Sequence, residues 1–344
     1  MINLKRSALI FFYGEIFMKI DKKKLISWIP RIIVLAVMLV LINTQLYQSQ
    51  ILDTLEYGFV FAVLALGIFI SFRILDIPDL SVDGTFALGV SVSAILASNG
   101  HPVIGILLGL VSGALAGCLT GVLITKFKVQ PILGGIITMT ALYSINLAIL
   151  GAPNLSLWKS STIFKMTEDI FGEYNQIIMT AIVLAVVFFI MFWFLKTQLG
   201  MSLRATGDNE FMVRASSINS DTMKILGFAI ANALVALSGA IYAQFTQTGD
   251  TNSGTGMLVV GLASIIIGEI FFSQHTIFSG LMAAVFGAVA YRYILAFAMS
   301  LGIDTMYTKL LSAIIVAVAI ALPVIKKSVV RAVLRIKERS GKGA

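Results

Sequence analysis

Ten stretches of this sequence are apolar enough to enter a lipid bilayer, and most are long enough to cross one. They lie at approximately 28–43, 57–75, 81–98, 103–125, 131–150, 176–195, 223–245, 257–273, 278–299 and 308–325. A bilayer core takes about 20 apolar residues of helix, and each backbone N–H and C=O inside it must be paired within its own segment. Only 12% of the residues are charged, which excludes an ordinary soluble domain. The chain is therefore predicted to be an all-α polytopic membrane protein with about eight to ten transmembrane helices.

The basic residues predict how these helices are oriented, because Lys and Arg in short loops stay on the cytoplasmic side. With the amino terminus inside, 21 of the 25 basic residues face the cytoplasm. We therefore predict a plasma (inner) membrane protein with both termini cytoplasmic. Its predicted parts are a cytoplasmic segment at 1–27, a transmembrane domain at 28–325 and a basic cytoplasmic tail at 326–344. The net charge of +8 is explained by this topology and by contact with anionic membrane lipid, so no nucleic-acid partner is expected.

Several smaller features limit the chemistry of the chain. Cys118 is the single cysteine, and the two histidines, His101 and His275, lie in connections on opposite predicted faces, so no metal site is expected. The chain lacks the phosphate-binding pattern GxxxxGK[ST] and should not hydrolyse ATP unaided. Met18 begins a more ordinary leader than Met1, and we predict that translation starts there. The basic tail either lies along the membrane surface as a helix or is solvated.

One apolar stretch carries a glycine at every fourth position. The row consists of Gly105, Gly109, Gly113, Gly117 and Gly121. Glycine weakens a helix in water, but in lipid it lets two helix backbones approach closely. The row is therefore predicted to be a packing groove. Its partner is either another helix of the same chain or a second copy of the chain.

The longest hydrophilic segment, residues 196–224, is predicted to contain a short helix from Asp208 to Ser217. Asp208 caps it, Glu210 lies in its first turn, and Phe211 shares one side with Ala215 and Ile218. Such a helix either rests on lipid headgroups or docks into another protein. Its mixed charges and thin apolar stripe favour a protein groove.

Residues 199–242, LGMSLRATGDNEFMVRASSINSDTMKILGFAIANALVALSGAIY, resemble the permease subunits of ABC importers in the branched-chain amino acid and ribose permease superfamily. The stretch LDIPDLSVDGTFALG resembles a narrower branch, some members of which are linked to aromatic amino acids. The likeness spans roughly residues 53–326, with mild departures at SIN (217–219) and SGA (238–240).

The resemblance implies an ABC importer permease fold and a set of partners. These are an ABC ATPase subunit dimer that uses ATP and Mg²⁺, an extracytoplasmic substrate-binding protein, and a second permease copy or a different permease. The chain itself would bind no cofactor. The short helix would be the coupling helix that contacts the ATPase, formed by Thr206, Gly207, Asp208, Asn209, Glu210, Phe211, Met212, Arg214 and Ala215.

Six polar residues inside or beside the apolar stretches are candidates for a translocation path or gate. They are Asp79, Asp83, Asn146, Asn232, Glu269 and Arg292. Each also has a structural interpretation. The aspartates can cap a helix, the asparagines can bond across helices, and Glu269 can reach the membrane surface. Arg292, between two tyrosines, can anchor an aromatic belt or contact an anionic substrate group.

The sequence therefore predicts the permease subunit of an ATP-driven importer that carries a small polar solute, such as an amino acid, and catalyses no bond chemistry. An ion-coupled secondary transporter is the alternative. It would need inverted repeats and paired carboxylates deep in the membrane, and neither is found in the sequence.

Overall fold

The computed structural model describes residues 48–272, 276–318 and 321. Within them, seven helices are long and apolar enough to cross a membrane, and two shorter helices are apolar. Seven predicted stretches correspond to the long helices, and those at 81–98 and 308–325 correspond to the shorter ones. The prediction of an all-α polytopic protein is confirmed. The stretch at 28–43, the start at Met18 and the basic tail lie outside the described residues.

The elements follow one another along the chain with short connections. The helices are α1 (Gln48–Ile68), continued by a π-helical turn (Phe69–Ile74), α2 (Val82–Ser98), α3 (Pro102–Thr125), α4 (Pro131–Leu150), α5 (Ile163–Phe171), α6 (Asn175–Phe194), α7 (Gln198–Asp208), α8 (Glu210–Ala215), α9 (Ser220–Thr246), α10 (Met257–Phe271), α11 (Ile277–Ser300) and α12 (Thr308–Val318). Two short strands, β1 (Asn154–Ser156) and β2 (Thr248–Asp250), pair antiparallel.

Helix α9 forms the centre of the bundle. It has 27 residues, most of them buried, and it packs against α1, α2 and α3. Small residues bring the backbones together, since a Cβ on Gly67 of α1 would lie 2.7 Å from the Ala231 carbonyl oxygen. The Ser238 hydroxyl donates to the Val60 carbonyl at 2.8 Å and joins the same two helices. The core is therefore organised around close backbone contacts, as expected where hydrophobicity no longer drives helix association.

The glycine row of α3 lies mainly against α9, so its partner belongs to the same chain. A Cβ on Gly113 would lie 2.5 Å from the Asn232 carbonyl oxygen, and one on Gly117 would lie 2.2 Å from the Phe228 carbonyl oxygen. The first glycine of the row, Gly105, meets α2 instead. Each of these distances is too short for a side chain, so the row sets how closely α3 approaches its neighbours.

The two ends of the bundle differ in character. At one end, called the strand end, β1 pairs with β2, and the Gln244 side chain joins the Pro102 carbonyl and the Ile163 N–H. At the other, called the basic end, α7 and α8 lie beside cationic side chains that include Arg73 and Lys224. The basic end of the bundle is therefore formed by the end of α1 and the starts of α9 and α11, with α7 and α8 packed beside them.

Gly117→Ala is expected to destabilise the protein, because the added methyl group has no space beside the Phe228 carbonyl. Overpacking of this kind costs about 1–3 kcal/mol, whereas helix propensity alone would favour alanine by roughly 1 kcal/mol. The apparent melting temperature in detergent should fall. Leu115→Ala on the exposed side of the same helix is the matched control and should change it little. A variant Gly117→Ala as stable as the parent protein would contradict close packing at this position.

Candidate functional site

The connection between α1 and α2 is held together by a buried carboxylate. Asp79, only 2% exposed, accepts hydrogen bonds from the Ser81 N–H at 2.8 Å, the Ser81 hydroxyl at 2.5 Å and the Asn232 amide at 2.7 Å. Asn232 lies near the midpoint of α9. The end of this connection that leads into α2 therefore sits deep in the bundle, where the polar groups of Asp79, Ser81 and Asn232 are paired with one another rather than with water.

Asp83, in the first turn of α2, caps a different helix from the one predicted. Its carboxylate accepts hydrogen bonds from the Gly256 N–H at 2.9 Å and the Leu258 N–H at 2.8 Å, at the start of α10. The free N–H groups at a helix start carry partial positive charge, which a carboxylate neutralises. The starts of α2 and α10 therefore meet at one side chain.

The regular α-helix on each side of this junction is shorter than the bilayer, and α10 reaches crossing length only together with the turn that precedes it, from Thr251. At 1.5 Å per residue, the 17 residues of α2 and the 15 residues of α10 span about 25 and 22 Å, against a hydrocarbon core of about 30 Å. Interrupted helices whose starts meet inside a membrane are a common setting for solute binding in transporters. We call the group Asp79, Ser81, Asp83 and Asn232 the broken-helix cluster.

Asn146 of α4 extends this cluster to a fourth helix. Its side-chain amide donates to the Gly84 carbonyl of α2 at 3.1 Å. Its side-chain oxygen is buried and has no hydrogen-bond partner within the part of the chain that the structure describes. The structure thus brings together four of the six predicted polar residues.

The remaining two lie elsewhere. Glu269, near the other end of α10, pairs with Arg73 of the π-helical turn through bonds of 2.7 and 3.1 Å. Arg292 of α11 packs its guanidinium over the ring of Tyr57 at 4.3 Å, inside the bundle. The neighbouring Tyr291 is almost completely buried and donates to the Ser312 hydroxyl, which fits the aromatic-belt interpretation of Arg292 poorly. Nothing in the sequence indicates that Glu269 forms an ion pair with Arg73, because the two residues are 196 positions apart.

At the basic end, α7 and α8 form what we call the coupling element. The predicted helix from Asp208 to Ser217 is wrong in its bounds, since α8 runs only from Glu210 to Ala215. The break falls at Asn209, whose backbone is extended and whose side chain accepts from the Met212 N–H at 3.1 Å. Asp208 is the last residue of α7 and not a cap. The cap is one residue later because only Asn209 leaves the helical conformation.

Gly207 lies within α7, one residue before its end. A Cβ at this position would lie 1.8 Å from the Ile74 carbonyl oxygen, at the end of the π-helical turn. The preceding Thr206 is buried and bonds back to the Ser202 carbonyl. The glycine therefore allows direct backbone contact between the coupling element and the end of the first long helix.

Glu210 faces inward and joins α8 to the start of α9. Its carboxylate accepts from Lys224 at 2.7 Å, from Arg214 at 2.6 Å and from the Ser220 hydroxyl at 3.1 Å. The Lys224 hydrogen bond holds the pKa of the Glu210 carboxyl below its ordinary value. The stabilisation is therefore present at neutral pH and is lost as the pH falls through the lowered pKa.

The outward side of α8 is apolar. Phe211 is 84% exposed and Met212 is 59% exposed. Val213, on the side of α8 that faces the bundle, is buried. Exposed aromatic and methionine side chains are typical of the centres of protein interfaces. A rigid inner side and an apolar outer side suit α8 to contact a partner at the basic end.

Comparison with known proteins gives a consistent result. Residues 50–322 match the model of the family described as "Branched-chain amino acid transport system / permease component". A protein of Clostridioides difficile named as a tyrosine transport system permease is 38% identical over 275 residues, 80% of this chain and 91% of the relative. The ribose import permease of Escherichia coli K12 is 24% identical over 306 residues, 86% of this chain and 91% of the relative. No solved structure matches the chain.

Asp83→Ala is expected to lower stability by about 1–3 kcal/mol, because two N–H groups at the start of α10 lose their acceptor. Asp83→Asn, which keeps one acceptor oxygen, should cost less. Thermal unfolding in detergent measures both. Equal stability of the alanine variant and the parent protein would mean that the bridge between α2 and α10 does not hold these helices together.

Proposed function

Because the chain belongs to the family of branched-chain amino acid transport system permeases and is the permease component of an ABC-type system, we propose that it imports a small polar solute, an amino acid, into the cytoplasm. In this proposal the chain binds no cofactor. A separate ATPase dimer uses ATP and Mg²⁺, and a separate substrate-binding protein delivers the solute.

The coupling element is the observation that carries the proposal. α8 presents Phe211 and Met212 outward while Glu210 ties it to the start of α9. Gly207 brings α7 against the end of the π-helical turn. A partner that moves α8 would therefore move two long helices at once. A permease that lacks its own nucleotide site requires such a contact to receive energy.

Charge supports the proposed orientation. The basic end carries many of the cationic side chains. They are Arg73, Lys126, Lys224 and the cations of α7 and α8. By the positive-inside rule we propose that this end faces the cytoplasm at the cell membrane and that both termini lie on the same side. The ATPase would then meet α8 from the cytoplasm, and the substrate-binding protein would meet the strand end.

Similarity supports an amino acid as the solute. The relative named for tyrosine transport is 38% identical, and the ribose import permease of Escherichia coli K12 is 24% identical. The junction of α2 and α10 supplies polar groups near the middle of α9, where a polar solute would need them. We further propose that two permease chains, identical or different, enclose the path together.

The energy source can be tested directly. Tyrosine uptake into proteoliposomes that contain the chain, its ATPase and the binding protein should require luminal ATP and Mg²⁺. It should persist when ionophores collapse the proton and sodium gradients, because hydrolysis and not an ion gradient drives the cycle. Uptake by the chain alone, driven by either gradient, would instead support an ion-coupled secondary transporter.

The docking role of α8 gives a second test. Phe211→Ala should weaken association with the ATPase by about 10- to 30-fold, as expected for loss of a central aromatic contact worth about 2 kcal/mol. Met201→Ala, an exposed apolar residue on α7, is the matched control. Glu210→Lys should also reduce association, but through loss of the ionic cluster, and should lower thermal stability as well. Co-purification with the ATPase and the melting temperature are the two measurements, and unchanged association of Phe211→Ala would exclude α8 as the contact.

A further inference from the structure

A cavity of about 340 Å³ lies between the coupling element and the helix bundle at the basic end. Its walls come from the π-helical turn, the end of α6, helix α7 of the coupling element and the start of α11. Cavities that bind small molecules in proteins usually measure about 300–1,000 Å³. This one therefore has room for a ligand of amino-acid size.

Charged side chains of both signs line the cavity. Arg204 and Asp208 lie one helical turn apart on α7, and Arg73 comes from the π-helical turn. The side chains of Arg204 and Asp208 have no hydrogen bond or ion pair with any residue that the structure describes. Arg73 uses Nε and one terminal nitrogen for Glu269, and its other terminal nitrogen remains available. The cavity therefore offers donors for an anion and an acceptor for a cation.

Apolar side chains complete the lining. Phe69, Leu195 and Ile277 lie in the same walls as the charged groups. A ligand that satisfies the whole cavity must carry a carboxylate, an ammonium group and an apolar or aromatic side chain. A simple anion would make no use of Asp208, and a fatty chain would make no use of any of the three charged groups, all of which water otherwise solvates.

We propose that this cavity binds a free amino acid from the cytoplasm, its carboxylate on Arg204 and Arg73 and its ammonium group on Asp208, and that occupancy slows further import. This inference rests on the proposed function, since the ligand has the chemistry of the imported product. It assigns a second amino acid site that is distinct from the broken-helix cluster.

The position of the cavity explains why a ligand there would inhibit. α7 forms one wall and the bundle forms the others, so a bound molecule contacts both. The close contact of Gly207 with Ile74 lies directly beside it. A ligand that fits only one arrangement of α7 on the bundle stabilises that arrangement. The stabilisation equals the difference between its binding free energies for that arrangement and for the others. In the proposed import cycle the ATPase moves α7 together with α8, so the bound state would transport more slowly.

Binding can be measured on the chain alone. The purified chain in nanodiscs should bind tritiated L-tyrosine, and Arg204→Gln should weaken that binding at least tenfold, with Arg204→Lys between the two. Lys128→Gln, an exposed cation outside the cavity, is the control and should bind like the parent chain. Tyramine, which lacks the carboxylate, and 3-(4-hydroxyphenyl)propionate, which lacks the ammonium group, should compete poorly. Equal binding by Arg204→Gln, or no binding of any standard amino acid, would overturn the site.

Regulation can be measured in the complete transporter. With ATP in the lumen of proteoliposomes, saturating luminal tyrosine should slow uptake at least fivefold for the parent chain and little for Arg204→Gln. Each chain is compared with its own rate in the absence of luminal tyrosine, and that rate separates a failure of this inference from a failure of the import proposal. Rates that ignore luminal tyrosine, or that follow the anionic lipid content instead, would refute the inference.

Discussion

The hydrogen bond between Asn232 and Asp79 fixes the centre of this molecule. A carboxylate deep in an apolar bundle is costly unless its oxygens are bonded, and here Ser81 and Asn232 provide the donors. This group fastens the residues just before α2 to the middle of α9. The start of α2 in turn places Asp83 at the start of α10. Two interrupted helices are thus positioned from the midpoint of one continuous helix.

The contacts form a closed circuit through the bundle. From α8 they pass through Glu210 and Lys224 to α9, and from the middle of α9 to the broken-helix cluster. From there α10 leads to Glu269 and Arg73, and so to the π-helical turn on which α7 rests. The coupling element therefore reaches the interrupted helices from both ends. A conformational change that altered only one of these routes would strain the other.

Much of this architecture follows from sequence, and the rest depends on contacts between distant residues. Hydropathy predicts the long helices because lipid requires each to satisfy its own backbone. The glycine row predicts close packing, although periodicity cannot identify α9 as its partner. Asp83 was expected to stabilise its own helix, and the start of α10, about 175 residues away, takes its carboxylate instead. Likewise, the sequence places Glu210 on a short helix predicted to dock onto a partner. The fold directs its carboxylate to Lys224 instead. Helix α7 was missed because its amphipathic pattern is interrupted by two glycines.

The π-helical turn makes the register of the first long helix sensitive to chain length. Its wider hydrogen-bonding pattern, with the Leu75 N–H donating to the Ile70 carbonyl at 2.9 Å, accommodates one residue more than an α-helical turn would. Removing a single residue here would restore ordinary winding and rotate Arg73 by about 100° relative to the segment that follows. Glu269 would then lose its partner, although no residue that contacts it had been substituted. Insertions and deletions in this turn should consequently be rarer among functional homologues than substitutions at either charged position.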